Sequence, residues 1–255
     1  MIPIKDDNPQ VGIPYAVYIL VALNVLAWFL LQGFGSSPAL NASVCQFGLI
    51  PADLTGAILQ AGAPDVCGPP QGSAWLGLFS SMFMHGSWMH IIGNLWFLWI
   101  FGDNVEDAMG SLRFVIFYLL CGLMAAAAQI FSNTASTIPM VGASGAIGGV
   151  MGAYLVLYPR VKVHLLFILV IIFTTFRVPA IALLGYWVLI QFLGGLTSSG
   201  ATGGVAFWAH IGGFVAGVML VFLFKDEELL ANHPYRGFKR QQSPADIWKD
   251  PENRA

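Results

Sequence analysis

The chain has 255 residues, of which 57% are apolar and only 9% are charged. An ordinary soluble domain carries about 25% charged residues, so this composition excludes a typical soluble protein. The formal net charge of −2 offers no polycationic surface for a nucleic-acid partner, and the sequence contains no P-loop or dinucleotide-binding motif.

Four long stretches contain no Asp, Glu, Lys or Arg, and each exceeds the roughly 20 apolar residues that span a bilayer core. They are residues 8–52, 66–102, 114–159 and 178–224. The sequence therefore predicts an all-α, polytopic membrane protein with six transmembrane helices. These helices are expected at residues 14–33, 76–100, 112–131, 141–158, 178–196 and 204–224. The first is interpreted as a retained helix and not as a cleaved signal peptide.

One apolar run, residues 161–173, is too short to cross the bilayer. Pro159 and Pro179 separate it from the helices on either side. We expect an interfacial or shallow re-entrant segment on the same side as Arg160 and Lys162.

The basic residues determine the expected orientation. If both termini are inside, all 11 lysines and arginines lie on the inner side, with Arg113 at the inner end of the third helix. The positive-inside rule therefore predicts cytoplasmic termini, and we expect a multi-pass protein of a bacterial inner membrane. The outer loops, which contain no lysine or arginine, are residues 34–75, 132–140 and 197–203.

This orientation divides the chain into three parts: a cytoplasmic N-terminus (1–13), a membrane domain (14–224) and a cytoplasmic tail (225–255). The tail is rich in charged residues and is expected to be flexible. Cys121 falls within the third helix and is expected to be a small packing residue. Cys45 and Cys67 share the long outer loop, and the sequence leaves open whether they form a disulfide.

Four polar residues fall within the predicted helices, where polar groups are expensive to bury: His90, Asn94, Ser144 and His210. Ser144 begins a stripe of small residues that continues at positions 148 and 152, and His210 begins another that continues at 213 and 217. Two such stripes allow helices to pack closely. If they face one another, the hydroxyl and the imidazole meet at the same depth.

A serine becomes a nucleophile when a base accepts its proton, and histidine is the usual base near neutral pH. Taken alone, Ser144 would more often bond to its own helix, and His210 would more often link two helices. The joint pattern favours a Ser–His pair. Because the charge-free runs contain no carboxylate, we predict a dyad in which packing and neutral hydrogen bonds orient the His210 ring.

His90 and Asn94 are four residues apart and so share one face of the second helix. Together with the Ser144 amide they could donate hydrogen bonds to an oxyanion, although structural linkage between helices is an alternative role. His85 points to a different face, and we expect it to be structural.

Three segments, in this order on the second, fourth and sixth helices, resemble the rhomboid family of intramembrane serine proteases. They are residues 85–94 (HGSWMHIIGN), 142–145 (GASG) and 209–214 (AHIGGF). With the six helices, the resemblance covers about residues 14–224, and residues 101–106, which end in Glu106, also resemble the family's turn after the second helix.

The resemblance implies a rhomboid-like bundle with Ser144 as nucleophile, His210 as general base, and His90, Asn94 and the Ser144 amide as oxyanion donors. It implies no metal and no organic cofactor. The implied substrates are single-span transmembrane proteins, which enter sideways from the lipid bilayer and are cut near their outer ends.

Two positions depart from the family pattern. Leu76 and Gly77 stand where many members have Trp-Arg, so the outer loop is expected to be anchored differently from the loop of those members. Gly148 stands where some members carry an aromatic residue that stacks on the histidine, so His210 is expected to be held differently.

Two other functions are compatible with parts of the pattern. A catalytically inactive relative would bind membrane helices without cutting them, but both residues of the dyad are present. A small transporter would also explain polar residues within the membrane, but the chain has no internal repeat and no intramembrane carboxylate. The substrate and the oligomeric state are not determined by the sequence.

Overall fold

A computed structural model describes residues 2–57, 67–68, 73–169, 172–197 and 204–235. The described chain is mainly helical, with a small antiparallel sheet and two 3-10 turns, Gly33–Gly35 and Ser81–Phe83. The helices are α1 (Tyr15–Leu30), α2 (Ser37–Phe47), α3 (Pro51–Thr55), α4 (Ala74–Ser80), α5 (Trp88–Met109), α6 (Ser111–Ser132), α7 (Ser144–Leu157), α8 (Ala180–Thr197), α9 (Phe207–Phe224) and α10 (Glu227–Asn232). The strands are β1 (Ile2–Asp6), β2 (Lys162–Leu169) and β3 (Ile172–Pro179).

The predicted helical membrane bundle is confirmed. Five predicted spans correspond within a few residues to α1, α6, α7, α8 and α9. Of these, α6, α8 and α9 are long and apolar enough to cross a membrane, whereas α1 and α7 are shorter apolar helices.

The predicted second span, 76–100, is wrong in its boundaries. The chain forms α4 and a 3-10 turn, and α5 then begins at Trp88, because the Ser87 hydroxyl accepts a hydrogen bond from the His90 amide at 3.2 Å and caps the new helix. At its other end α5 continues to Met109, so the connection between the predicted second and third spans, residues 101–111, is reduced to a turn at Gly110.

The centre of the bundle is α7, which is buried over most of its length between α5, α6 and α9. Glycines allow the closest approach. A Cβ on Gly213 would lie 1.9 Å from the Gly145 carbonyl oxygen, and a Cβ on Gly217 would lie 1.9 Å from that of Gly149. The two predicted small-residue stripes therefore do face one another. Cys121 is buried beside them as a free thiol, as predicted.

One end of the bundle carries the sheet, the Gly110 turn and α10, and we name it the basic end. Every lysine and arginine among the described residues lies there, namely Lys5, Arg113, Arg160, Lys162, Arg177 and Lys225. The opposite end, which carries Ser144, is named the cavity end.

The sheet was not predicted. Of residues 161–173, expected to be an interfacial or shallow re-entrant segment, 162–169 form β2 and 172–173 begin β3, and β2 pairs with both β1 and β3. The run is rich in Val, Ile, Leu and Phe, which suit strands as well as membranes. Its partner β1 comes from the distant N-terminus, and the apolar run alone gives no sign of it.

The first part of the predicted flexible tail is folded. The Asp226 amide donates to the Ala108 carbonyl at 2.8 Å, the Asp226 carboxylate pairs with Arg113 at 3.0 Å, and α10 packs against α5. Residues 236–255 of the tail lie outside the described residues.

At the cavity end, a disulfide joins Cys45 to Cys67, which resolves the alternative left open by the sequence. The same segment forms a two-residue β-bridge, Leu49 with Met140, and so attaches to the connection that precedes α7.

Candidate active site

Ser144 is the first residue of α7, and His210 lies in the first turn of α9. The close packing of these helices at their glycines brings both residues to the same level. Ser144 Oγ and His210 Nε2 are 2.7 Å apart, which is hydrogen-bond distance. The predicted contact between the hydroxyl and the imidazole is therefore present.

The other side of the His210 ring is held by α8, a helix that the sequence analysis did not assign to the site. His210 Nδ1 lies 2.7 Å from Oε1 of Gln191. One helical turn earlier, the Trp187 indole packs on the imidazole with ring centroids 5.6 Å apart and an angle of 35° between the planes. A Cβ on Gly148 would come within 3.7 Å of the Trp187 ring. Trp187 thus supplies, from α8, the aromatic contact that is absent at position 148.

The sequence did contain a signal for Gln191. It is the only amide side chain in the predicted fifth span, and polar groups within a membrane are retained for a reason. Trp187 is four residues earlier and therefore lies on the same helical face. Neither residue could be assigned to His210, because the sequence does not determine how α8 is rotated about its axis.

His90 and Asn94 lie on α5 and face the same space as Ser144. The Gly86 amide donates to His90 Nδ1 at 3.3 Å, so in the neutral ring Nε2 carries the proton. A Cβ on Gly142 would lie 2.7 Å from that Nε2 and 3.4 Å from Ser144 Oγ. Asn94 is 7% exposed, and its Nδ2 has no hydrogen-bond partner among the described residues. Two donors on α5 therefore face the same cavity as the Ser144 hydroxyl.

The connection before α7 is fixed in a conformation that requires glycine at position 142. Gly142 has a φ of 129°, which disfavours other residues, and its amide donates to the Ser81 carbonyl at 2.8 Å. Any side chain there would also collide with His90. Gly142 therefore permits His90 to approach Ser144.

The four polar residues line one cavity of about 620 Å³ at this end of the bundle. Its other walls are mostly apolar and come from α5 and the two residues before it, the connection before α7, α7, α8 and the segment before α9. They are Gly86, Ser87, Met89, Gly93, Phe97, Pro139, Met140, Val141, Ile147, Met151, Trp187, Gly204, Val205 and Ala206.

His85 lies behind the site and does not line the cavity. It is fully buried, and its ring packs edge-on against His90 with centroids 5.1 Å apart. Gln32, at the end of α1, bonds to the His85 backbone through both amide atoms, at 2.7 and 2.8 Å. This position agrees with the structural role expected for His85.

The arrangement contains a hydroxyl, a base and hydrogen-bond donors, which is the set required for acyl transfer. Neither hydrogen bond to the His210 ring comes from a carboxylate. Within the described ranges, no three His, Cys, Asp or Glu side chains are grouped so that they could hold a metal ion.

Comparison with known proteins identifies the family of the chain. A family model described as the Rhomboid domain matches residues 72–227. The chain is 31% identical over 211 residues to the Rhomboid protease GluP of Bacillus subtilis, an alignment that covers 83% of this chain and 36% of GluP.

Two organellar proteins are also similar. Rhomboid protein 1, mitochondrial, of Saccharomyces cerevisiae is 29% identical over 154 residues, covering 56% of this chain and 40% of the yeast protein. Rhomboid-like protein 11, chloroplastic, of Arabidopsis thaliana is 27% identical over 160 residues, covering 59% of this chain and 52% of the Arabidopsis protein. The chain thus spans about a third to a half of the length of these curated relatives. Because the family model covers more than half of the chain, the chain belongs to the rhomboid family of membrane proteins.

Proposed function

We propose that this protein is an intramembrane serine endopeptidase in which Ser144 is the nucleophile and His210 is the general base. The observation that carries the proposal is the 2.7 Å contact between Ser144 Oγ and His210 Nε2 at the wall of a cavity large enough for a peptide segment. A general base must lie within about 2.6–3.2 Å of the proton that it removes, and this contact meets that requirement.

The proposed reaction has two steps. His210 Nε2 accepts the Ser144 proton while Oγ bonds to the scissile carbonyl carbon, and the protonated ring then gives that proton to the leaving amine. Water, deprotonated by the same nitrogen, next hydrolyses the acyl-enzyme and restores Ser144. In both steps the negative charge on the carbonyl oxygen would be stabilised by the Ser144 amide, His90 Nε2 and Asn94 Nδ2.

The length of α7 supports cleavage below the membrane surface. Its 14 residues span about 21 Å, whereas the hydrocarbon core of a bilayer is about 30 Å thick. If the end of α7 near the sheet reaches one interface, Ser144 lies several ångströms below the other. The substrates that we propose are single-span membrane proteins cut near the outer face.

The charge distribution supports a cytoplasmic basic end. The described lysines and arginines all lie at that end, and such residues are concentrated on the cytoplasmic side of membrane proteins. Both termini would then be cytoplasmic, and the cavity would open toward the outside. A bacterial inner membrane is the proposed location, since one of the similar proteins is a bacterial protease.

Reconstitution in liposomes tests the proposal. Purified protein is incubated with a panel of tagged single-span substrates, and in parallel with a fluorophosphonate probe, which labels activated serines without a substrate. Ser144→Ala and His210→Ala are expected to lower cleavage by about 10³-fold or more, and Asn94→Ala by about 10²–10³-fold. Ser144→Ala should also abolish labelling.

Ser132→Ala serves as the matched serine control, because its hydroxyl bonds only to a carbonyl of its own helix, and it should cleave like the wild type. Cleavage by Ser144→Ala at the wild-type rate would refute the proposed nucleophile. A wild-type protein that neither cleaves the panel nor reacts with the probe would instead indicate an inactive, helix-binding rhomboid relative.

A further inference from the structure

The His210 ring has two nitrogens, and only one of them can act on Ser144. The second, Nδ1, is 2.7 Å from the side-chain oxygen of Gln191. We propose that Gln191 is a positioning residue that holds His210 in the tautomer and orientation needed for general-base catalysis. This inference rests on the function proposed above and adds a third residue to the Ser–His dyad.

The chemistry of the amide determines the tautomer. An amide oxygen has no proton to donate, so Nδ1 must carry the proton for this hydrogen bond to form. A neutral imidazole has only one proton, and Nε2 is then left with a free lone pair directed at the Ser144 hydroxyl. In the opposite tautomer, Nε2 would carry the proton and could not accept one from serine. Gln191 therefore performs, through a neutral group, the orienting task that a carboxylate performs in a serine-protease triad.

The surroundings of Gln191 support a specific role. Most of α8 is exposed at the rim of the bundle, but Gln191 is only 8% exposed. It shares its buried face with Leu184 and Gly195, and this face packs against α9. A buried amide in an apolar helix is unfavourable unless it is hydrogen-bonded, and its carbonyl oxygen is satisfied by His210.

Gln191 contacts the His210 ring and does not line the cavity. It is absent from the residues that line the cavity, so it is not expected to contact the substrate. Its loss should therefore lower kcat and leave KM nearly unchanged. Among the described residues, the ionisable side chain that acts electrostatically on His210 is His90, which lines the same cavity from α5, whereas α6, α7 and α8 bring neutral residues to it.

The first experiment reads the tautomer directly. The protein is labelled with ¹⁵N-histidine, placed in lipid nanodiscs, and compared with Gln191→Leu by ¹⁵N NMR, and His210→Ala is used to assign the His210 signals. In the wild type, Nδ1 of His210 should be protonated and Nε2 unprotonated. In Gln191→Leu, which has a similar volume but no acceptor, this pattern should change to a mixture or to the opposite tautomer.

The second experiment measures the consequence for catalysis. Gln191→Leu is expected to lower both kcat and the rate of fluorophosphonate labelling by about 10–100-fold. Gln191→Glu supplies an acceptor again and should recover most of the loss. Because its carboxylate also favours the protonated ring, the acid limb of its kcat/KM profile should move to higher pH, which a purely structural role would not produce.

Gln129→Met is the matched control. Gln129 also contacts α9, but its oxygen accepts the Ala209 amide at 3.2 Å and does not touch the His210 ring. This variant should keep the wild-type tautomer and pH profile. The inference is overturned if Gln191→Leu retains the wild-type tautomer, or if it loses no more activity than Gln129→Met. If the wild type cleaves nothing, the proposed function fails, and the NMR comparison still decides whether Gln191 sets the tautomer.

Discussion

The two ends of the bundle bury polar groups in opposite ways. At the cavity end the buried groups are neutral: a hydroxyl, two imidazoles and two amides, arranged around Ser144 and His210. At the basic end the buried or half-buried polar groups include carboxylates, whose partners are backbone amides and the hydroxyls of Tyr154 and Ser111. Glu106, for example, is 3% exposed and accepts the amides of Ala16 and Val17, each at 2.9 Å.

This difference follows from what each group must do. A carboxylate that accepts several backbone hydrogen bonds is well satisfied and can fix the start of a helix, as Glu106 does for α1. Beside His210 an anion would have to lose its hydration with few donors nearby, which is unfavourable. The carboxylate at the basic end therefore serves stability, whereas the cavity end keeps a base bonded to Ser144 and leaves the Asn94 amide donor without a partner among the described residues.

The largest effect is expected where the cavity end depends on close backbone packing. A Cβ in Gly213→Ala would lie 1.9 Å from the Gly145 carbonyl oxygen. The two helices α7 and α9 must therefore move apart at this point, which is only one helical turn from His210. We expect stability to fall by about 3 kcal/mol and cleavage to fall to background. The measurement is unfolding by sodium dodecyl sulfate in mixed micelles, together with the cleavage assay.

Gly185→Ala is the control for that variant, because nothing lies within 4 Å of a Cβ at Gly185 on α8. It should be neutral, or more stable by about 0.5–1 kcal/mol through helix propensity. Equal effects of the two alanines would show that the packing between α7 and α9 does not position the dyad.

The next prediction is that a substitution at the basic end lowers the free energy of unfolding but leaves substrate cleavage intact. Glu106→Ala leaves two buried amides at the start of α1 without partners and should lower stability by about 2–4 kcal/mol, measured by the same unfolding titration. The neighbouring Asp107 binds the exposed amides of Val11 and Gly12, so Asp107→Ala should cost only about 0.5–1 kcal/mol. At sodium dodecyl sulfate concentrations below the midpoint of its unfolding, Glu106→Ala should still cleave substrate. A loss of cleavage in the folded variant would contradict the division between the two ends.

The sequence predicts most of the fold because long apolar runs have few alternatives in a membrane. It does not indicate the sheet, because strand pairing depends on distant residues. The apolar run at residues 161–173 gives no sign of β1, its partner from the other end of the chain. The second span was misplaced because the cap at Ser87 lies inside an apolar run that has no charged boundary.

Part of the candidate site could likewise be predicted from the sequence, and part could not. The contact between Ser144 and His210 could be predicted because each residue begins a glycine stripe, and the stripes determine which helix faces meet. Gln191 and Trp187 could not be placed, because α8 has no comparable stripe that would determine its rotation. The glycine at position 148 indicated that an aromatic contact was missing, but not which helix would replace it.

The last expected effect appears only when the pH changes, and it concerns two adjacent carboxylates at the basic end. Burial raises the pKa of Asp6 from 3.8 to about 6, although its hydrogen bond with Tyr154 acts in the opposite direction. A raised pKa means that the folded protein binds the proton more tightly than the unfolded chain. Asp6 therefore contributes its full stability below about pH 4 and loses that contribution as the pH rises through about 6.

Asp6→Asn keeps a neutral acceptor for Tyr154 at every pH. Its stability should match that of the wild type near pH 4 and exceed it by about 2–3 kcal/mol at pH 8. Asp7→Asn is the matched comparison, because the hydrogen bond from His164 lowers the pKa of Asp7, and its stabilising effect is present at neutral pH and lost on acidification. With its side chain 41% exposed, Asp7 should show only a small change, and of opposite sign. Unfolding titrations of both variants from about pH 2 to pH 8 measure these slopes, because the Asp7 effect is lost below its unfolded pKa of 3.8. Parallel curves for Asp6→Asn and the wild type would show that the pKa of Asp6 is not raised in the fold.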